Sequence, residues 1–293
     1  MHVPVLVEEV RELLQPGRGG VFVDCTVGLG GHARMLLEGG ATRLVGIDRD
    51  PDALALARGA LEPWADRVTL VHANYRELAE VLDRLELPAV SGVLADFGVS
   101  SMQLDGEGRG FSFKRDEPLD MRMDRTRGET AAEMLDRVDE VELADVIYRF
   151  GEERRSRQVA HGVVMARQQA PITTTGRLAE IVRRGVRARG WQRIDPATRT
   201  FQALRIWVNG ELDGLESFIG TAVSRLEAGG RLALISFHSL EDRIAKHTLR
   251  DLARGDEAIV KVLTKHPVTA GEAEAEANPR ARSAKLRAAI RVG

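Results

Sequence analysis

The chain has 293 residues, 43% hydrophobic and 29% charged, with a formal net charge of −2. That balance supports a packed core and excludes disordered and collagen-like classes, while the length predicts about two domains or one large α/β domain with an insertion. No apolar run reaches the roughly 18 residues of a membrane span. Glu8 and Glu9 stand where a secretory signal would be apolar, and the lone Cys25 excludes an internal disulfide framework or a cysteine-based zinc site, so a cytoplasmic protein without an assigned metal is expected.

Strand and helix signals alternate over the first hundred residues. Val21–Asp24 predicts a short strand, His32–Gly39 a helix, Arg43–Asp48 a second strand, and Pro51–Leu61 a helix with Asp50 as its N-cap and Pro51 at its first position. Val68–His72, Tyr75–Leu85 and Val90–Phe97 continue the pattern as strand, helix and strand. From about 105 to 200 no strand is evident. Residues 106–128, dense in glycine and charge, predict an ordered loop or lid. Helices follow over Thr130–Val138, Val141–Phe150, Glu152–Gln169 and Thr175–Arg189, and another opens at Asp195-Pro196 and runs to Val208. The α/β alternation then returns with Leu215–Leu226 helical, Arg231–Ser236 a strand, Ser239–Leu252 helical, and Ala258–Leu263 and Ala288–Val292 as late edge strands. The Glu-Ala repeat at 272–276 reads as a solvated loop. The fold class is α/β, a parallel, doubly wound sheet with right-handed crossovers and an inserted helical domain. The expected domains are a core over 1–105, an insertion over 106–199 and a second core part over 200–293.

The first strand runs into Asp24-Cys25-Thr26-Val27-Gly28-Leu29-Gly30-Gly31-His32, and Asp48 follows Gly28 by 20 residues at the end of the second strand. Glycines in that frame fit a cofactor loop, and a carboxylate at Asp48 suits ribose hydroxyls. A dinucleotide needs an anion site at the helix start. The acidic Asp24 suits a cation better, so S-adenosylmethionine is favoured over NAD. Tyr75, just past the third strand, is placed to border adenine or to serve as a core aromatic.

The fourth strand ends at Asp96, at the edge where open α/β sheets bind ligands. An exocyclic base amine is a weak nucleophile because its lone pair is delocalised. A carboxylate that accepts its N–H favours the pyramidal, attacking form and can take the proton, while in-line positioning supplies much of the rest. Asp96 is therefore the catalytic candidate. The proline-proline-aromatic run that often follows such an acid is absent from Asp96-Phe97-Gly98-Val99. In Ser236-Phe237-His238-Ser239-Leu240-Glu241-Asp242-Arg243, Ser239 is the expected N-cap in a local capping arrangement with Asp242, and His238 is either a base or phosphate contact or a structural residue.

These segments, with His2–Leu6, Gly46–Pro51, Asp96–Asp105, Arg109–Phe113, Pro118–Asp124, Gly151–Glu153, Phe201–Ile206 and Asn278–Arg287, run nearly end to end. Together they resemble the bacterial small-subunit ribosomal RNA (cytosine-N4) methyltransferases, which act on a decoding-site cytidine. The resemblance implies a Rossmann-like class I methyltransferase sheet with an inserted helical domain, cofactor contacts at Gly30, Gly31, His32, Asp48, Tyr75, Asp96 and Gln103, and a substrate of 16S ribosomal RNA within the small ribosomal subunit. Phe97 and Met102 depart from the family's common Leu and Pro.

Only five of the 42 basic residues are lysine, and arginine suits bidentate phosphate contacts. Eight arginines (177, 183, 184, 187, 189, 193, 199 and 205) face two acids, Glu180 and Asp195, with Trp191 among them as a stacking candidate. The tail adds Arg280, Arg282, Lys285, Arg287 and Arg291. Each patch is either an RNA surface or a solvated face. A target cytosine must leave its stack, and the Arg109–Asp124 segment is placed to fold over it. The alternatives are a small-molecule methyltransferase, a non-catalytic cofactor-sensing RNA-binding assembly factor and, third, a nicotinamide oxidoreductase. Oligomeric state stays open, a homodimer included.

Overall fold

The computed structural model describes residues 4–99, 103–104, 106–186 and 195–293. It contains two compact units, one formed by Met1–Gly98 with Gly214–Gly293 and the other by Val99–Asp213. Among the described residues no helix is long and apolar enough to cross a membrane.

The first unit is built on strands β1 (Val21–Asp24), β2 (Arg43–Asp48), β3 (Val68–His72), β4 (Val90–Asp96), β5 (Leu226–Ser236), β6 (Val260–Val262) and β7 (Lys285–Arg291). They form one seven-stranded sheet in the order β3-β2-β1-β4-β5-β7-β6. Strands β1 to β5 pair in parallel, and β7 runs antiparallel to both neighbours. The central strands are near-continuous apolar runs, as burial on both faces demands: Val93, Leu94 and Ala95 of β4 and Leu232 to Ile235 of β5 are all buried. From β1 the chain winds outward through β2 and β3, then returns to place β4 on the other side of β1. That reversal is a topological switch point, the place where such sheets leave a ligand crevice beyond their carboxyl ends.

The helices of this unit are α1 (Val7–Leu14), α2 (Gly31–Glu38), α3 (Pro51–Ala60) and α4 (Leu78–Arg84). The second unit contributes α5 (Ala131–Arg137), α6 (Glu140–Gly151), α7 (Ser156–Arg167), α8 (Thr175–Val186) and α9 (Ala197–Asn209). Back in the first unit, α10 (Leu215–Ser224), α11 (Ser239–Leu252) and α12 (Glu272–Ala277) complete the set. Helix α3 starts as its sequence dictates, with the Asp50 side chain accepting the Asp52 N–H and Pro51 at the first position.

Several expectations shift. The 272–276 repeat is a helix, not a loop, because alanine and glutamate are strong helix formers. Its acidic first turn complements the helix dipole, and Glu274 Oε1 accepts the Leu6 N–H at 2.7 Å. Strand β7 begins at Lys285, ahead of the expected Ala288, and lies inside the sheet between β5 and β6, so of the two late strands β6 alone is an edge. Helix α7 starts at Ser156, since Glu152 takes a left-handed φ of 50° that ends α6. The expected boundary near residue 200 moves to 213, because Ala197, Phe201 and Leu204 of α9 enter the second unit's core beside Leu143, Ile147, Val159 and Leu178.

Candidate active site

The sheet places three carboxylates at its carboxyl edge. Asp24 ends β1, Asp48 ends β2 and Asp96 ends β4, so Asp24 sits on the strand between the other two. Burial is the first cause that lifts all three. The Asp24 carboxyl is pushed up to about 8 by burial, with repulsion from Asp96 and Asp48 adding to it and the Thr26 amide opposing it. Asp48 is pushed up to about 6 by burial, against hydrogen bonds from the Asp50 and Gly28 amides. Asp96 is also raised by burial, with the charges of His32 and Arg280 pulling back and Glu241 adding repulsion. Such a row is an electrostatic deficit that a cationic ligand relieves.

Local chain geometry holds each acid. Asp24 Oδ1 accepts the Thr26 N–H at 3.2 Å. Asp48 Oδ2 accepts the Gly28 N–H at 2.8 Å while Oδ1 accepts the Asp50 N–H at 2.9 Å, so Asp48 braces the glycine loop. The Asp96 amide donates to Thr26 Oγ1 at 2.7 Å, and Asp96 Oδ1 accepts the Gly98 N–H at 3.3 Å. Thr26 thus links the ends of β1 and β4, a role that no pattern in the sequence signals.

The loop depends on its glycines. Gly30 caps α2 with φ +83°, a conformation costly for any residue with a side chain. Gly31 lies against Pro4, whose Cγ would be 2.8 Å from a Cβ. His32 is buried, and its Nε2 meets the Val5 carbonyl at 2.8 Å. This contact assigns the Nε2–H tautomer and ties the segment before α1 to the cofactor loop. Helix α1 was not anticipated, although Val7, Val10 and Leu14 have helical spacing and Val10 and Leu14 are buried.

Tyr75 lies past β3 with its ring buried edge-to-face against Phe97 (5.6 Å between centroids) and Phe218 (4.8 Å). The three rings form one cluster beside β4. Phe218, more than 140 residues away in sequence, is its unforeseen member. Gln103 is buried in the second unit, and residues 100–102 and 105 of its motif lie outside the described residues.

At β5, His238 rather than Ser239 is the N-cap of α11. The Glu241 N–H donates to His238 Nδ1 at 3.4 Å, and Glu241 Oε2 accepts the His238 N–H at 3.4 Å as well as the Phe237 N–H at 2.9 Å. This is a capping box in which a ring nitrogen stands in for the usual hydroxyl. Asp242, expected to share in a cap with Ser239, pairs instead with Arg287 Nε at 2.6 Å and Lys285 Nζ at 3.5 Å.

The second unit redistributes the basic residues. Arg109 is buried, and its Nη2 donates to the carbonyls of Arg122 (3.3 Å) and Met123 (3.0 Å). It therefore anchors the 109–124 segment rather than presenting a free guanidinium, and Leu119 and Met121 of that segment are core residues. Within the arginine stripe, Arg183 grips Asp195 at 2.8 Å, Arg205 grips Glu211 at 2.8 Å, Arg199 pairs with Glu153 at 3.7 Å and Arg184 with Glu180 at 3.6 Å. Arg187, Arg189, Trp191 and Arg193 lie outside the described residues. What the fold does assemble is a groove of about 780 Å³ between α7 and α8, with Arg155, Arg157, Arg177 and Arg184 around Met165 and Ile181. The tail also turns inward, with Arg291 donating to the Ser224 and Leu226 carbonyls and Arg282 to Ala275 O.

The chain matches the model of the MraW methylase family over residues 1–292. It is 54% identical over 292 residues to the ribosomal RNA small subunit methyltransferase H of Sorangium cellulosum, covering 100% of this chain and 91% of that protein. The corresponding protein of Acidobacterium capsulatum is 50% identical over 296 residues, covering 98% and 97% of the two chains. That of Geotalea uraniireducens is 46% identical over 307 residues, covering 99% and 98%.

Proposed function

The chain belongs to the MraW methylase family, and from that premise we propose that it methylates N4 of a cytidine in the decoding region of 16S ribosomal RNA, within the small ribosomal subunit, using S-adenosylmethionine. The observation that carries this reading is the carboxylate row of buried Asp24 and half-buried Asp48 and Asp96 around a glycine loop at the sheet's switch point. The chemistry of that donor set fits a ligand with a sulfonium and an ammonium, and it disfavours a pyrophosphate. The relatives' printed name supplies the substrate class.

When bound, the cofactor supplies an electrophilic methyl group on a positively charged sulfur. The chain's own residues do the rest. Gly30 and Gly31 let the backbone approach, His32 locks the loop to the N-terminal segment, and Asp48 offers its carboxylate toward ribose hydroxyls. Asp96 accepts an N–H of the cytosine amine, orients its lone pair for in-line attack and takes the departing proton. Its raised acidity range suits that last task, since a carboxylate lifted by burial is the stronger base. The α7–α8 groove supports RNA binding, with guanidinium groups for phosphates around an apolar floor.

The test is incubation with labelled cofactor and small subunits from a strain lacking the protein, followed by mapping of the modified nucleoside. Label at N4 of one decoding-region cytidine is expected. Label confined to a free metabolite, or none in 16S RNA, overturns the reading. Asp96→Ala is expected to lower the methylation rate by about 10²- to 10⁴-fold while subunit binding persists. An undiminished methylation rate would remove Asp96 from the catalytic role and leave positioning by the rest of the site to carry the reaction.

A further inference from the structure

A second cationic concavity lies in the first unit, away from the carboxylate row. It has a volume of about 840 Å³ and is lined by Lys246, Arg250, Arg254, Lys265 and Arg287, with Leu249, Ala253 and Val262 as its apolar wall. Five cations and no acid line it. Lys246 and Arg250 are one helical turn apart on α11, and Arg254 continues the same stripe just past the helix end. Lys265 faces them from the segment after β6, and Arg287 forms part of the floor from β7. Chance does not favour this grouping: the chain holds only five lysines, and two of them are here.

The acids nearby account for only part of the charge. Arg287 is buried and paired with Asp242 at 2.6 Å, so it is structural. Arg250 touches Asp251 at 3.2 Å, and both side chains are largely exposed, so the pair gives little neutralisation. Asp256 and Glu257 lie in the adjoining loop and do not line the pocket. Among the described residues no ion pair is seen on Lys246, Arg254 or Lys265. Holding like charges around one concavity is unfavourable unless a polyanion visits it.

Position decides which polyanion. The sheet order sets β7 two strands and β6 three strands beyond β4. At about 4.8 Å per strand that is roughly 10–15 Å from the line of Asp96. Arg287 pairs in register with Leu234, and Asp96 pairs with Ile235, so the Arg287 end of the pocket stands at nearly the height of the catalytic acid, while α11 carries Arg254 down toward the level of Arg231 at the other edge of the sheet. An RNA strand that delivers a base to Asp96 has its flanking phosphates within this range. We propose that the pocket is an RNA phosphodiester-binding site that anchors the substrate strand as it runs on from the catalytic edge, with Lys246, Arg254 and Lys265 as the contacting cations. The inference rests on the ribosomal RNA reading above and extends it to a surface outside the insertion.

The test uses the full-length triple variant Lys246→Gln, Arg254→Gln, Lys265→Gln. All three side chains are exposed, so folding and cofactor affinity are expected to stay unchanged, checked by melting and by calorimetry with the cofactor. Affinity for small subunits is then measured from 50 to 200 mM salt for both proteins. Loss of three phosphate contacts should flatten the slope of log K against log salt by about 2.1–2.7, so that the gap between the proteins narrows by roughly 20- to 40-fold across that range. KM for subunits should rise at low salt with kcat retained. Identical slopes and KM would overturn the proposal, as would loss of binding to inorganic phosphate or free mononucleotide with subunit binding untouched. Wild-type methylation of the subunits, read in the same assay, separates failure of the pocket from failure of the substrate assignment.

Discussion

At Asp24, burial outweighs the Thr26 amide and lifts the carboxyl from an ordinary 3.8 to about 8. A raised acid stabilises the fold through its protonated form. That contribution is complete below the unfolded value near 3.8 and is lost as pH climbs toward 8. A cationic ligand acts in the opposite sense, since it favours the ionised carboxylate and draws the proton off. Cofactor affinity should therefore strengthen as pH rises from 6 to 8, with Asp48, at about 6, contributing at the lower end of that window. Asp24→Asn should remove most of the rise between 7 and 8, leaving affinity weaker and flatter with pH. Isothermal titration at several pH values checks this, and a wild-type affinity that is level from 6 to 8 would remove Asp24 from the cofactor's field.

Between residues and whole units, the second unit shows how one helix end holds a strained loop. Met121 takes φ +63° while fully buried, a conformation few side-chain-bearing residues keep without support. Asn209, in the last turn of α9, supplies it: Nδ2 donates to the Met121 carbonyl and Oδ1 accepts the Met123 N–H, both at 2.8 Å. Asn209→Ala strands two buried backbone groups at about 1–3 kcal/mol each, so a loss of roughly 2–4 kcal/mol is expected, read as a lowered midpoint in urea. An unchanged midpoint would mean that water replaces the amide. This clamp joins residues 86 positions apart, and no local pattern reveals such a pairing. Sequence periodicity and capping were enough for β1 to β4, because apolar runs alternating with helix caps are local signals. They were also enough to put Asp24, Asp48 and Asp96 at the carboxyl edge of the sheet, because each ends its parallel strand there. They failed at α12, where composition looked like solvated loop, and at α11, where a histidine does the work expected of serine. They failed again for the arginine stripe, since which cations are neutralised depends on acids such as Glu153 and Glu211 that the fold delivers from elsewhere.

A net charge of −2 gives the whole molecule no long-range pull toward RNA, so attraction has to come from places where cations gather without matching acids. Among the described residues such gatherings include the α7–α8 groove in the second unit, where Arg184 pairs with Glu180, and the pocket beside β6 in the first. Salt dependence measures how many phosphates such surfaces neutralise, irrespective of how much each contact contributes to affinity. In the groove, Arg157→Gln with Arg177→Gln should cut the slope of log K against log salt by about 1.4–1.8, at 0.7–0.9 per contact. Combined with the triple variant of the pocket, the reductions should sum to about 3.5–4.5, because counterions released at separate sites add. A sum well short of that, with each variant set effective alone, would mean that the two surfaces compete for one stretch of RNA instead of gripping two. Subunit binding measured across salt for the wild type and the three variant sets distinguishes the cases.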